Sequence, residues 1–476
     1  MGNTSLNIVE KKHYNVERLR SLLNQDLDFH DADTGYSSHN FHSFPAKFPP
    51  QLPKLFIEGL TEPGDIILDP MMGSGTTILE SYLTGRKGIG FDIDPLSFLL
   101  TKVKITPLNK SNVLRLSDKI IKSAYTAINK ERVKLQKILG KRWDAKTKDF
   151  INYWFAENTQ IELMALLCEI EKIKDEKIRQ FFLLAISSII ITKSGGVSLA
   201  LDLAHTRPHR AKIIFDEKGN IIEGSDYLDK EDKRIRFIQK RLHNALTEFR
   251  RRIVVNLEGL IDSDQLVVQL DLDELLKSKN DKIPPVIKMV NAQQLPLDNE
   301  SVDLIFTSPP YASNAIDYMR AHKFSLVWLG YSIGQLGSKK KDYIGGENTS
   351  GFIFEELPDF AEKVIKDISS HDKRKGMVLH KYYSEMTRIL KEMYRVLKPG
   401  KAAIIVVGNS ILRNISTETH KCLAEIGQSL GFYVPEISVR NMDRNRRMMP
   451  AGKTKNLNSQ IQKRMHEEYI IGLYKS

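Results

Sequence analysis

The chain has 476 residues, with 71 Lys plus Arg against 59 Asp plus Glu, a formal charge of +12 and a pI near 9.3. That length admits two or three domains, and the basic balance favours a polyanionic partner over an acidic protein or a neutral metabolite. Two cysteines, Cys168 and Cys422, sit in helix-like apolar settings and argue against a disulfide framework or a zinc cluster. The start lacks an apolar signal core and the longest apolar stretch, near "FFLLAISSIIIT", is too short to span a bilayer, so a cytoplasmic, intracellular protein is expected.

The first forty or so residues are polar and helix-prone. "FHSFPAKFPPQLPKLFIEGL" (41–60) then forms a proline-punctuated loop running into a helix. Next comes a β-α-β passage: "GDIILDP" (64–70) as a strand, "MMGSG" (71–75) as a tight turn, "TTILESYLTG" (76–85) as a helix ended by glycine, and "RKGIGFDID" (86–94) as the next strand. From about residue 110 to 285 the sequence is charged amphipathic helix without this rhythm. Within it "KEDKRIRFIQKRLHNALTEFRRR" carries Ile235, Ile238, Leu242, Leu246 and Phe249 as an apolar helical stripe, which predicts a core-facing helix with a solvated basic face. The rhythm resumes with "PVIKMVNA" (285–292), "SVDLIFTSPPY" (301–311), a helix over 380–400, the strand "KAAIIVVGNS" (401–410), a helix over 419–431 and the strand "EEYIIGLYK" (467–475), while "GSKKKDYIGGENTSG" (337–351) reads as a mobile loop. The expected fold class is α/β, a Rossmann-like catalytic domain in two parts (1–110 and 286–476) split by an inserted, mainly helical domain (111–285).

Gly73 and Gly75 lie between a strand and a helix, where the missing Cβ atoms let the backbone approach a ligand, and the helix behind them offers unpaired amides. Asp92, at the end of the following strand, is placed to accept hydrogen bonds from ribose hydroxyls. These features together predict a nucleoside-type ligand, either NAD or S-adenosylmethionine. Ile78 holds the place of the third dinucleotide-fingerprint glycine, which counts against a pyrophosphate on that helix. In "TSPPY" (307–311) two prolines end a buried strand and aim one carbonyl and one ring rigidly out of the sheet, either as an ordinary strand stop or as a reaction site.

"HSFPAKFPPQL", "LDPMMGSGTT", "GIGFDIDP", "NAQQLPLDNESVDLIFTSPPY" and "YRVLKPGK", in this order, resemble the prokaryotic amino-methylating DNA methyltransferases, especially the N4-cytosine type of restriction-modification systems. The resemblance covers roughly residues 40–105 and 286–476. It implies a Rossmann-like S-adenosylmethionine-dependent methyltransferase fold, with Asp69, Pro70, Gly73, Gly75 and Thr76 in the cofactor turn, Asp92 at the ribose, Asn291 and Ala292 near the adenine, and the "PAKFPP" region closing the pocket. Met71 stands where the family commonly has phenylalanine, and Asn291 where aspartate is common. Ser308, Pro309, Pro310 and Tyr311 are implied as the catalytic motif: the Ser308 hydroxyl and Pro309 carbonyl accept from the target amine, and Tyr311 stacks on the extruded base. Serine in the first motif position points to cytosine N4, whereas aspartate is commoner in N6-adenine enzymes. Cytosine C5 methylation would need an attacking thiolate, and neither cysteine has a Pro-Cys context. N6-adenine methylation, methylation of RNA or a protein amide, and a non-catalytic DNA-binding module stay open as alternatives.

The implied partner is double-stranded DNA, with any cognate endonuclease a separate chain. The insert is the candidate for target recognition: "SGGVSLALDLAHTRPHRAK" concentrates His205, Arg207, His209, Arg210 and Lys212 around a proline turn. Near the C-terminus, Arg440, Arg444, Arg446, Arg447, Lys453 and Lys455 cluster in a stretch suited to clamping DNA backbone. A solvated basic loop is the rival reading for both. His39 and His42 lack metal-ligand spacing, and no metal is expected.

Overall fold

The computed structural model describes residues 15–45, 47–201, 203, 208–227, 238–261, 284–312, 317–442 and 467–476. Strand β1 (Ile66–Asp69) leads through the glycine turn into a helix, Thr76–Leu83, and back into β2 (Lys87–Asp92), as the sequence predicts. Asp94 then caps the helix Pro95–Lys104, its side chain accepting from Leu96 and Ser97 amides with Pro95 in the first turn.

Helices at Lys110–Lys130, Arg132–Arg142, Ala145–Trp154, Glu157–Ile170, Glu176–Ile190 and Ala245–Glu258 build the helical region. It also holds a small sheet that sequence periodicity does not reveal, with β3 (Ile213–Phe215) between β4 (Ile221–Glu223) and β5 (Gln239–Arg241). The stripe expected to run as one helix from Ile235 is therefore divided. Ile235 lies outside the described residues, 239–241 pair with β3, and the helix begins only at Ala245, where the Asn244 side chain caps Leu246 and Thr247. Leu242, Leu246 and Phe249 are nonetheless buried. One apolar core runs through these helices and takes in Phe41, Leu96 and Leu100 from before them and Phe324 and Trp328 from after them.

The main sheet is completed by β6 (Val286–Met289), β7 (Val302–Thr307), β8 (Leu397–Val407), β11 (Phe432–Tyr433), β12 (Ile437–Asn441) and β13 (Glu467–Lys475), with a short hairpin of β9 (Ile411–Leu412) and β10 (Ile415–Ser416) set apart. Its order is β11-β13-β8-β7-β1-β2-β6, with β12 also on β13. The five strands from β6 to β8 are parallel, and β13 runs antiparallel to β8. Both faces are covered, so the strands read as continuous apolar runs. Ile67, Leu304, Phe306 and Ile404 pack on one face with residues of the helix Gln51–Leu60, while Leu68, Ile305, Ile405 and Ile471 pack on the other with the helices Asp359–His371, Lys373–Val396 and Thr419–Ser429.

The stretch 337–351 departs from the expected loop. Residues 333–339 are helical, 340–342 form a 3-10 turn, and the rest is tied down by Gly345 N–H to Glu385 and by Lys381 to the Asn348 carbonyl. Among the described residues no helix is long and apolar enough to cross a membrane, and no group of three or more His, Cys, Asp or Glu is placed to hold a metal ion. Both cysteines are free.

Candidate active site

In this sheet the connection after β1 crosses to β2 on one side while β7 lies on the other, so a crevice opens at the carboxyl ends of β1 and β7. The two ends are tied directly: Thr307 Oγ1 donates to Asp69 Oδ1 at 2.7 Å. Beyond β1 the chain turns through Gly73 (φ +48°) and Gly75 (φ +71°), left-handed conformations that glycine adopts without a Cβ penalty. The turn is held by Gly73 N–H to Asp92 Oδ2 at 2.8 Å, Gly75 N–H to the Met72 carbonyl at 2.7 Å, Lys104 Nζ to the Ser74 carbonyl at 2.7 Å, and the Ser97 hydroxyl to the Gly73 carbonyl.

Asp92 also takes the Asp94 amide on Oδ1 at 2.9 Å, so each oxygen accepts from one backbone amide. Burial, reinforced by the neighbouring Asp94 charge, raises its carboxyl to about 6. Burial raises Asp69 to about 7 against the opposing bond from Thr307. Asp94 goes the other way: burial pushes it up, but the adjacent His322, with Nδ1 at 2.6 Å, and the Tyr343 hydroxyl at 2.8 Å bring it below the ordinary carboxylate range.

These groups line a cavity whose empty volume, counted out to its open mouth, is about 1090 Å³. Its floor is Asp69, Pro70, Met71, Gly73 and Ser74. Asp92 and Asp94 form one wall, and Val290, Asn291 and Ala292 another. Ser308 and Pro310 stand at the β7 end, and Phe44, Lys47 and Phe48 of the "FPAKF" loop also face it. Lys47 is exposed as a residue, yet its ammonium donates to the carbonyls of His39 and His42, and burial pushes it down to about 8.

Other expected residues stand behind the wall. Gly75 abuts Thr101, and Thr76 is buried with Oγ1 2.9 Å from Ser74 Oγ, so both shape the turn without lining the cavity. Pro309 and Tyr311 do not line it either, and Tyr311 is 7% exposed with its hydroxyl donating to Glu468 Oε1 at 2.7 Å. Asn291 folds its Oδ1 back on the Gln293 amide. His39 and His42 are buried, with Nε2 2.7 Å from Glu80 Oε1 and 2.9 Å from Ser187 Oγ respectively.

Of the expected DNA-contacting residues, His205, Arg207, Arg444, Arg446 and Arg447, with Lys453 and Lys455, lie outside the described residues. The His209 carbonyl accepts from Leu201. Arg210 grips both oxygens of Glu223 at 2.7 and 2.9 Å and donates to the Tyr153 carbonyl, with its guanidinium 5.3 Å from the Tyr153 ring centre. Arg440, grouped by sequence with the C-terminal basic cluster, is turned inward at 6% exposure onto Glu468. Sequence reasoning missed Asp317, Tyr318, Lys340 and Tyr343, which complete the cavity wall. The advance signal for Lys340 and Tyr343 was the aromatic and basic content of the stretch 337–351, read as a loop; Asp317 and Tyr318 lie outside that stretch.

The family model for DNA methylases of the N6/N4 type matches residues 10–102 and 302–471, more than half of the chain. Similar proteins include the Type II methyltransferase M.MvaI of Kocuria varians, 24% identical over 88% of this chain and 87% of that protein. M.BsoBI of Geobacillus stearothermophilus is 24% identical over 84% and 80%, and M.MjaII of Methanocaldococcus jannaschii 26% identical over 66% and 67%, both also Type II methyltransferases. The family match covers β1 and β2 and the sheet from β7 onward, leaving out residues 103–301, which hold the helical region and β6; the chain belongs to the N6/N4 DNA methylase family.

Proposed function

We propose that this chain transfers the methyl group of S-adenosylmethionine to the exocyclic N4 amine of cytosine in double-stranded DNA, as the modification enzyme of a restriction-modification system. The observation that carries the reading is the position of Ser308: one residue past the Thr307–Asp69 bond, it shares a cavity with the glycine turn and Asp92. Names of the similar proteins as Type II methyltransferases support the same class.

Methyltransferases of this family generally use S-adenosylmethionine, which supplies an electrophilic methyl on a sulfonium. The residues present fit it. A Cβ added at Gly73 would meet only Phe44 Cε1 at 3.7 Å and the Met71 carbonyl at 3.9 Å, so there is room for a ligand to approach the turn closely. Asp92 faces the cavity at the strand end where ribose hydroxyls would be held, Val290 to Ala292 form an edge for an adenine, and the acids along the strand ends suit a cation.

The amine of cytosine is a poor nucleophile because its lone pair is delocalised into the ring. The Ser308 hydroxyl oxygen and the Pro309 carbonyl accept its two hydrogens, draw the nitrogen towards tetrahedral geometry and direct its lone pair into the cavity. As the N–C bond forms, the C–S bond of the sulfonium would break and release a neutral thioether, and one of those hydrogens would pass as a proton to solvent. The base must be extruded from the duplex to reach Ser308, and Tyr311 is the ring proposed to receive it. With the ring 7% exposed, base entry must first displace what covers it. Target recognition is assigned to the helical region and to the basic segments outside the described residues.

The test is to methylate unmodified DNA with the purified chain, digest it to nucleosides and identify the product by mass spectrometry. N4-methylcytosine is expected. N6-methyladenine alone overturns the cytosine assignment, and no modified base overturns the activity.

A further inference from the structure

The aromatic residue of the S-P-P-Y stretch is attached to β13, which lies beyond β8 in the sheet. Tyr311 donates its hydroxyl to Glu468 Oε1 at 2.7 Å, and Arg440 Nη1 donates to Glu468 Oε2 at the same distance. As whole residues Tyr311, Glu468 and Arg440 are 7%, 7% and 6% exposed. The sheet fixes the acceptor, because Arg440 and Glu468 are directly paired across β12 and β13, and β13 is itself paired along β8. A second bond steadies the next residue, with Ser410 Oγ donating to the Ala312 carbonyl at 2.8 Å.

A phenyl ring would stack on a base as well and could be buried without a polar partner. A buried phenol must find an acceptor, and here that acceptor is a carboxylate 157 residues away whose own burial requires a cation. Burial and the Glu468 charge hold the phenol well above its ordinary range, so it stays a donor throughout the working range of pH. We infer that Glu468 is a positioning residue for the target base, fixing the plane of the Tyr311 ring relative to Ser308 through the tyrosine hydroxyl, with Arg440 as its counterion. This rests on the reading of the S-P-P-Y stretch given above, and it gives Arg440 a task other than clamping DNA backbone.

The test compares wild type, Tyr311→Phe, Glu468→Gln and the double variant of the full chain in single-turnover methyl transfer to DNA, with donor affinity, DNA affinity and thermal melting measured alongside. A 2-aminopurine placed at the target position reports base extrusion. Expected are losses of about tenfold to a hundredfold in transfer rate for each single variant, unchanged donor affinity, an altered 2-aminopurine signal, and a double variant no slower than the worse single. If Glu468→Gln fails to fold, Tyr311→Phe alone decides. Wild-type rates per folded molecule in Tyr311→Phe, or additive losses in the double variant, overturn the positioning role. A wild-type chain that transfers nothing to DNA refutes the underlying reading, and the positioning role with it.

Discussion

Gly75→Ala isolates the glycine turn from everything else in the cavity. Gly75 has φ +71°, and a methyl group there would sit 2.6 Å from Thr101 Cγ2 and 2.9 Å from Thr101 Cβ, and closer still to Oγ1. Rotating Thr101 does not relieve the clash, because every rotamer leaves its Cβ in place and the residue is fully buried on the helix Pro95–Lys104. The left-handed backbone costs about 1–2 kcal/mol for alanine, and forced overpacking adds about 1–3 kcal/mol, for a loss of about 2–5 kcal/mol in all. Gly73→Ala is the control: it shares the backbone strain, but its nearest neighbour would be Phe44 at an ordinary 3.7 Å, so about 1–2 kcal/mol is expected. Urea denaturation measures the stabilities and calorimetric titration with S-adenosylmethionine the turn. Adding Thr101→Ala to Gly75→Ala should recover part of the loss, since Thr101 Oγ1 has no hydrogen-bond partner to forfeit. A Gly75→Ala protein no less stable than Gly73→Ala, with wild-type donor affinity, would refute the packing argument.

Three further outcomes follow from the site. Asp92 titrates at about 6 and is the ionised acceptor above that pH, so donor affinity should fall below pH 6, towards about tenfold per pH unit; Asp92→Asn should weaken binding and flatten the profile, and an unchanged profile would remove Asp92 from the donor site. Tyr343→Phe deletes the bond to Asp94 and should raise the donor Kd about three- to tenfold, the equivalent of one net hydrogen bond. Arg210→Ala should leave the slope of log K against log salt for DNA binding unchanged, because its guanidinium is already held by Glu223; a slope smaller by about one would show a phosphate contact instead.

The half of the fold that carries the cavity was legible because its signals are local. Buried apolar runs, a glycine turn and a strand-end acid each declare themselves within a few residues, and β1, β2, β7 and β13 stand where those patterns lie. Features set by distant partners were not legible. Arg210 and Arg440 read as free charge, since nothing nearby announces that Glu223 and Glu468 lie within 3 Å of them. The long helix begins at Lys373, ahead of the apolar stripe at 380, because the Asp372 side chain caps it. Tyr343 and Lys340 join the site only because their segment folds over the crevice, where Asp94 and Asp317 hold them. Tyr311 was read as an open stacking face from its motif alone, and its burial depends on β13 far along the chain.

The role given to Ser308 is tested most directly by the single-turnover rate of methyl transfer in Ser308→Ala, measured at saturating donor and DNA. The account predicts a fall of about a hundredfold to a thousandfold, with donor affinity unchanged because Ser308 acts on the target amine. A variant that transfers methyl groups at the wild-type rate would contradict it.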